Sequence, residues 1–218
     1  MSKITGKRED YVYSLDSYGV RPEYKYIVDW IEKGSKVLDL GCGNGSLGSL
    51  LIKQKGCEVY GIESSGSGVE SALNKGVHAI IGDIDEGLDF SDSSFDYVVI
   101  NVTLQMVYMP GFVLGEALRV GKKVIVSFPN LAHWAARLEL FLLGRMPRKP
   151  LYGYRWHNTK HIHLFSYNDF NNYLEEINAK TTKKVFLGYD SEHESLMAGI
   201  FPNLFSMEAI LMIKNESQ

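Results

Sequence analysis

The sequence has little of what would tie a chain to a membrane, a secretory route or a metal. It holds two cysteines, Cys42 and Cys57, too few for a disulfide framework and at a spacing that matches no zinc motif; both read as packing residues. No apolar run approaches the roughly eighteen residues of a membrane-spanning helix. Residues 1–20 are polar and tyrosine-rich, with no signal-peptide core, so a cytoplasmic protein is expected. An excess of positive charge is also missing, and the formal net charge of -3 argues against general nucleic-acid binding. With 218 residues the chain suffices for one well-buried α/β domain over 1–218 and not for a second full one.

What is present is organised around a glycine turn. Val37 to Leu40 is a short apolar run with one carboxylate, Gly41-Cys42-Gly43-Asn44-Gly45 follows, and Ser46 to Lys55 is helix-like. That pattern is a strand, a tight turn and a helix N-terminus. Glycines let a ligand lie against the main chain, and free N–H groups at a helix start favour an anionic group. Dinucleotide sites usually read G-x-G-x-x-G, whereas these glycines fall at 41, 43 and 45 with Asp39 just upstream. The stretch resembles motif I of the class I S-adenosylmethionine-dependent methyltransferases; the alternative is a glycine-rich turn with no ligand. Cys42 lies between two of the glycines and is counted with Asp39, Gly41 and Gly43 as cofactor-lining.

The chain around this turn reads as repeated strand-helix units. Pro22 starts a helix that carries Tyr26, Ile27, Trp30 and Ile31 at helical spacing and stops by Gly34. Leu47, Leu50 and Leu51 form one apolar face after the turn, Gly56 ends that helix, and Glu58 to Ile62 is a strand ending in Glu63. A carboxylate there, about 20 residues beyond the turn, can accept hydrogen bonds from both ribose hydroxyls; otherwise it is a solvated glutamate. Ser64 to Lys75 is a poor helix, and Val77 to Ile81 is a third strand. Asp83 and Ile84 follow as adenine candidates, a carboxylate for the exocyclic amine beside an apolar surface for the ring, although Gly82 to Asp85 also reads as a plain turn. Phe95 to Asn101 is a fourth strand, a helix runs from Pro110 to a stop at Gly121, and Lys122 to Phe128 is a fifth strand. Parallel sheets of this kind bind ligands beyond the carboxyl ends of their strands, where Asp39, Glu63, Asp83 and Asn101 all fall.

Beyond Phe128 the pattern changes. Leu131 to Leu143 reads as a helix and Gly144 to Leu164 as a long irregular stretch, so 131–165 is an elaboration of the domain. It carries Arg137, Arg145, Arg148, Lys149, Arg155 and Lys160 against the single acid Glu139, interleaved with Trp134, Tyr152, Tyr154 and Trp156. Such a positive patch attracts an anionic substrate or an acidic partner surface; a solvated loop is the alternative. His157, His161 and His163 form no standard metal set, so no metal is expected. His133 and His163 are weak candidates for facing a methyl acceptor, and no general base is identified. A helix from Tyr167 to Ile177 is capped by Ser166 with Asp169. Lys180 to Leu187 and Met207 to Lys214 alternate as final strands, an antiparallel pair at the sheet edge, joined by a loop through Gly188, Gly199 and Pro202.

Several motifs narrow the resemblance. G-D-I-D-E-G-L at 82–88, E-A-L-R-V-G at 116–121, S-F-P-N at 127–130, G-R-M-P at 144–147 and I-H-L-F-S-Y-N-D-F at 162–170 resemble the MetW family, over about Trp30 to Lys214. The extension Met1 to Val20, a frayed arm or a flap over a ligand, and Trp156-His157-Asn158-Thr159 depart from that pattern. The resemblance implies a Rossmann-like α/β fold with a seven-stranded, mostly parallel sheet, an antiparallel C-terminal edge pair and helices on both faces. It implies S-adenosylmethionine as cofactor and a link to methionine biosynthesis. Two functions remain open: a methyltransferase acting on a small-molecule acceptor, or a non-catalytic accessory protein that binds S-adenosylmethionine in the same pocket and supports a homoserine O-acyltransferase. Asn101-Val102-Thr103-Leu104 lacks the N/D-P-P-Y/F pattern of many amino-group methyltransferases acting on DNA or protein, which disfavours that class. A homo-oligomer is left open.

Overall fold

The computed structural model describes residues 21–148, 152–188 and 194–216; the expected arm or flap at 1–20 lies outside them, as does Lys149. Short apolar and β-branched runs form the parallel strands β1 (Lys36–Leu40), β2 (Glu58–Glu63), β3 (His78–Ile81), β4 (Phe95–Asn101) and β5 (Gly121–Pro129). Helix α1 (Pro22–Trp30) precedes them, α2 (Ser46–Lys55), α3 (Gly66–Asn74) and α4 (Pro110–Val120) run between them, and α5 (Trp134–Leu143) and α6 (Tyr167–Glu176) follow. The chain closes with β6 (Ala179–Leu187), the short helices α7 (Leu196–Ile200) and α8 (Pro202–Phe205), and β7 (Glu208–Asn215).

The seven strands form one sheet in the order β3-β2-β1-β4-β5-β7-β6. Neighbours among the first five are parallel. The expected antiparallel pair is present, with β7 inserted between β5 and the edge strand β6. Side chains alternate between the two faces, and both faces are covered. Val37, Val99, Ile125, Ile210 and Met212 join Ile27 of α1 and Leu47 and Leu51 of α2 in one core. Leu38, Val98, Val124, Phe128 and Leu211 join Leu114 of α4 and Phe170 and Leu174 of α6 in the other.

Two local expectations shift. Helix α5 begins at Trp134 instead of Leu131, because Asn130 Oδ1 accepts from Ala132 N at 3.2 Å and His133 Nδ1 accepts from Ala135 N at 3.2 Å. These side-chain bonds hold a turn ahead of the first helical residue. The loop expected between the last strands also contains two short helices. Ser195 caps the first by accepting from Ala198 N, and Pro202 opens the second with its pre-set φ. Among the described residues no helix is long and apolar enough to cross a membrane.

Candidate functional site

The parallel register brings Asp39, Glu63, Asp83 and Asn101 to the same end of the sheet. The glycine turn there is left-handed at Gly41, Gly43 and Gly45, with φ of 76°, 54° and 72°, conformations that a side chain strains. Space is tight as well. A Cβ at Gly41 would meet the Thr103 side chain at 2.6 Å, and one at Gly45 would meet the Ala72 backbone of α3 at 2.6 Å. These two glycines therefore let protein, not only ligand, approach the turn.

Several amides of the turn are engaged within the chain. Gly41 N and Cys42 N donate to Ile62 O at 2.8 and 3.2 Å, and Gly45 N donates to Cys42 O at 3.0 Å. Ser46 N donates to Asn44 Oδ1 at 3.2 Å, and Gly43 N to Glu63 Oε2 at 3.0 Å. Glu63 also takes Ser65 N at 2.9 Å on Oε1. One carboxylate thus fastens the glycine turn to the end of β2, and its remaining lone pairs can still accept from hydroxyls.

Negative charge dominates the cleft. Asp39 is 3% exposed, and burial, with the Glu63 charge second, pushes its carboxyl up to about 7. No hydrogen bond from a described residue contributes to offset this. Cys42, packed against Gly61, is pushed well above the ordinary thiol value by burial and then by Asp39 and Glu63. It is a poor nucleophile, packed in the core within electrostatic reach of the two carboxylates. A buried Asp39 with no donor among the described residues, beside the hydrogen-bonded Glu63, makes a site that gains by receiving a cation.

Asp83 is exposed, with its Oδ1 accepting from Asp85 N at 3.0 Å. Ile84 is only 7% exposed and belongs to the core beneath α4. Ile81, in register with Glu63, presents an open apolar side chain, 67% exposed. Asn101 is spoken for: its Oδ1 accepts from Ser127 Oγ at 2.5 Å and its Nδ2 donates to Glu23 Oε1 at 3.2 Å. It fixes the start of α1 over the strand ends. Val102, next in sequence, is left-handed with φ 57°, a strained state for a β-branched residue. It is held by Ser127 O at 3.0 Å.

His133 is buried and caps α5 through Nδ1, and His163 reaches Tyr108 O at 3.3 Å. Neither is brought beside Asp39 or Glu63 by any contact described. Sequence reasoning passed over Asp85, which accepts from Tyr108 N at 2.9 Å and Met109 N at 2.8 Å and ties the turn after β3 to the loop before α4. It also passed over Arg21, Glu23, Gln105, Tyr152 and Glu208, which gather beside Asn101. Only Glu208, a carboxylate heading an apolar strand, carries a local signal. Burial pushes it up to about 8, with Glu23 adding to the effect.

The family model of methionine biosynthesis protein MetW matches residues 21–213. The bifunctional methionine biosynthesis protein MetXA/MetW of Rhodopirellula baltica is 32% identical over 88% of this chain, and the chain spans 32% of that relative's length. Among solved structures, an S-adenosylmethionine-dependent methyltransferase of Thermotoga maritima superposes with TM-score 0.65 at 18% identity, covering 89% of this chain and 88% of that one. A chain from the Haloferax volcanii complex of the Trm112 methyltransferase activator with a methyltransferase gives TM-score 0.64 at 16% identity, covering 88% and 89%. These likenesses show a Rossmann-like class I methyltransferase fold.

Proposed function

We propose a function from the premise that this chain belongs to the MetW family of methionine biosynthesis proteins: it binds S-adenosylmethionine at the strand ends and transfers the methyl group to a small-molecule acceptor. The observation that carries this reading is the buried Asp39 beside Glu63, a pair of carboxylates short of a positive partner among the described residues. S-adenosylmethionine, when bound, supplies an electrophilic methyl group on a sulfonium and brings an ammonium as well. In this reading Asp39, Gly41, Cys42 and Gly43 hold the methionine end, Glu63 the ribose, and Asp83 and Ile84 the adenine, with the exposed Ile81 as a further apolar surface. Asn101 serves by holding Glu23 and α1 in place.

Methyl transfer needs the acceptor close and aligned more than it needs a strong base. The strained Val102 and the Thr103 side chain packed on Gly41 give the chain a rigid wall for that alignment. Calorimetric titration of S-adenosylmethionine into the wild type, Asp39→Asn, Glu63→Gln and Asp83→Ala tests the placement. Wild type binds, and loss of a charged hydrogen-bond partner in the first two weakens binding by about 1.5–3 kcal/mol each. No heat and no thermal stabilisation with wild type would remove the cofactor reading.

A second reading, an accessory protein for a homoserine O-acyltransferase, is favoured by α5. Phe141 is 85% exposed, Leu142 64% and Leu143 58%, beside the exposed Arg148 and Arg155. Apolar residues gathered on one exposed helix mark an interaction site, and the R. baltica relative bears both names in one chain. Purified acyltransferase from the same source, assayed with and without this protein, decides the point. Activity should rise with wild type and not with the Phe141→Ser/Leu142→Ser double variant; equal activity in all three sinks this reading.

A further inference from the structure

Contacts at the ends of β4 and β5 and the start of β7 close into a ring that the cofactor reading leaves unused. Gln105 Nε2 donates to Pro129 O at 3.3 Å, and Pro129 stands opposite Glu208 across β5 and β7. The Glu208 carboxyl hydrogen-bonds the Tyr152 phenol, whose ring lies 6.1 Å from the His161 ring at 28°. The N–H groups of Ile162 and His163 return to Gln105 O at 2.9 and 3.1 Å. Segments far apart in sequence are therefore joined in one closed chain of contacts, and Glu23, bonded to Asn101, is felt electrostatically by both Tyr152 and Glu208.

Three buried polar atoms on this ring lack a partner among the described residues: Gln105 Oε1, Glu208 Oε1 and His161 Nε2. Their residues are 1%, 4% and 7% exposed. Buried polar atoms are rarely left unpaired, and the chemistry of these three is specific. Gln105 has already used its amide nitrogen, so it offers an acceptor. His161 Nδ1 lies 2.9 Å from Thr159 Oγ1, and in the tautomer that donates from Nδ1 the Nε2 atom is an acceptor. The neighbouring charges are Glu23 and Glu208 against Arg21, and Arg21 pairs with Glu23 at 3.2 Å and sits 5.4 Å over the Tyr152 ring. Arg21 matches Glu23, so the charge left over is that of Glu208 once it ionises, and a cation that donates hydrogen bonds would match it.

We propose that this ring binds the ammonium head group of a small molecule, with Gln105 Oε1, Glu208 Oε1 and His161 Nε2 accepting its three N–H bonds. Naming that molecule the methyl acceptor rests on the S-adenosylmethionine reading; the site itself does not. Burial that holds the Glu208 proton is consistent with this, since an arriving cation restores the ionised carboxylate. Ordered water, which also fills polar sites, is the competing occupant.

The test is nuclear magnetic resonance of the glutamate side-chain carboxyls and histidine ring nitrogens in the full chain. The probes are propylammonium, tetramethylammonium and 1-propanol. Propylammonium should shift the Glu208 and His161 signals saturably. Tetramethylammonium, with the charge and no N–H, and 1-propanol, with no charge, should not. Glu208→Gln and, separately, Gln105→Leu should each weaken the propylammonium response by about tenfold or more. Should Glu208→Gln fail to fold, Gln105→Leu and His161→Phe carry the comparison. An equal response to tetramethylammonium, no saturable shift in wild type, or unchanged affinity in the folded variants overturns the site. Loss of S-adenosylmethionine binding with the propylammonium response intact overturns only the cofactor reading.

Discussion

Helices α2 and α5 each span ten residues and each stop at a left-handed glycine, Gly56 at φ 63° and Gly144 at φ 58°. Both are rich in leucine, yet their leucines meet different surroundings. In α2, Leu47 and Leu51 are buried against the sheet, and the helix start carries the glycine turn that Glu63 fastens. In α5 only Ala136 is buried, while Leu138, Leu140, Phe141, Leu142 and Leu143 face outward. A soluble monomer gains nothing in stability from the second arrangement. One helix builds the cleft, and the other offers a surface.

The widest separation between them should appear in stability. Leu51→Ala removes a side chain with 0% exposure and should cost about 2–5 kcal/mol in urea unfolding. Leu142→Ala should stay within about 0.5 kcal/mol of wild type. A comparable loss in Leu142→Ala would mean that α5 packs on the core in solution, and the contrast would break.

A smaller effect sharpens the contrast through pH. The folded values of Asp39, about 7 against an ordinary 3.8, and Glu208, about 8 against 4.5, both lie above those of the unfolded chain. Between these limits the native state holds protons that the unfolded chain has lost. The ligand-free protein should therefore be most stable at the acidic end of the window, lose stability as pH rises and level off beyond about 8. Asp39→Asn cannot titrate and should flatten the part of that slope below about 7. Leu142→Ala should leave the slope unchanged, because α5 holds none of these groups. A stability that rises with pH across the window contradicts the burial of both carboxyls.

The smallest effect concerns the start of α5. His133→Ala removes the cap on Ala135 N and should cost about 1 kcal/mol in thermal unfolding, with S-adenosylmethionine binding unchanged. Unchanged stability together with lost methyl transfer would instead make His133 part of the chemistry.

Much of the fold was legible because its signals are local. The Ser46 to Lys55 helix and the Phe95 to Asn101 strand have the same bounds in sequence and structure, since glycine stops, Pro starts and period-two alternation act over a few residues. The start of α5 was misplaced by three residues, where the Asn130 and His133 side chains compete with the helix. The strand-end carboxylates were legible through spacing. Their state was not: that Asp39 lacks donors among the described residues and that several of the turn's amides are engaged depends on how β2 and the loop after β4 pack on the turn. Asn101 reads as a ligand-facing strand end, and only the fold shows that its side chain bonds Glu23 and Ser127.

By itself the sequence determined the alternation of strands and helices, the direction of the parallel sheet and the end of it at which Asp39 and Glu63 gather, because hydrophobic period and glycine placement encode these along the chain. Tertiary structure alone decided which polar groups share a site. Arg21, Gln105, Tyr152, His161 and Glu208 lie on segments separated by most of the chain, and burial and hydrogen-bond satisfaction belong to the folded neighbourhood, which no local pattern records.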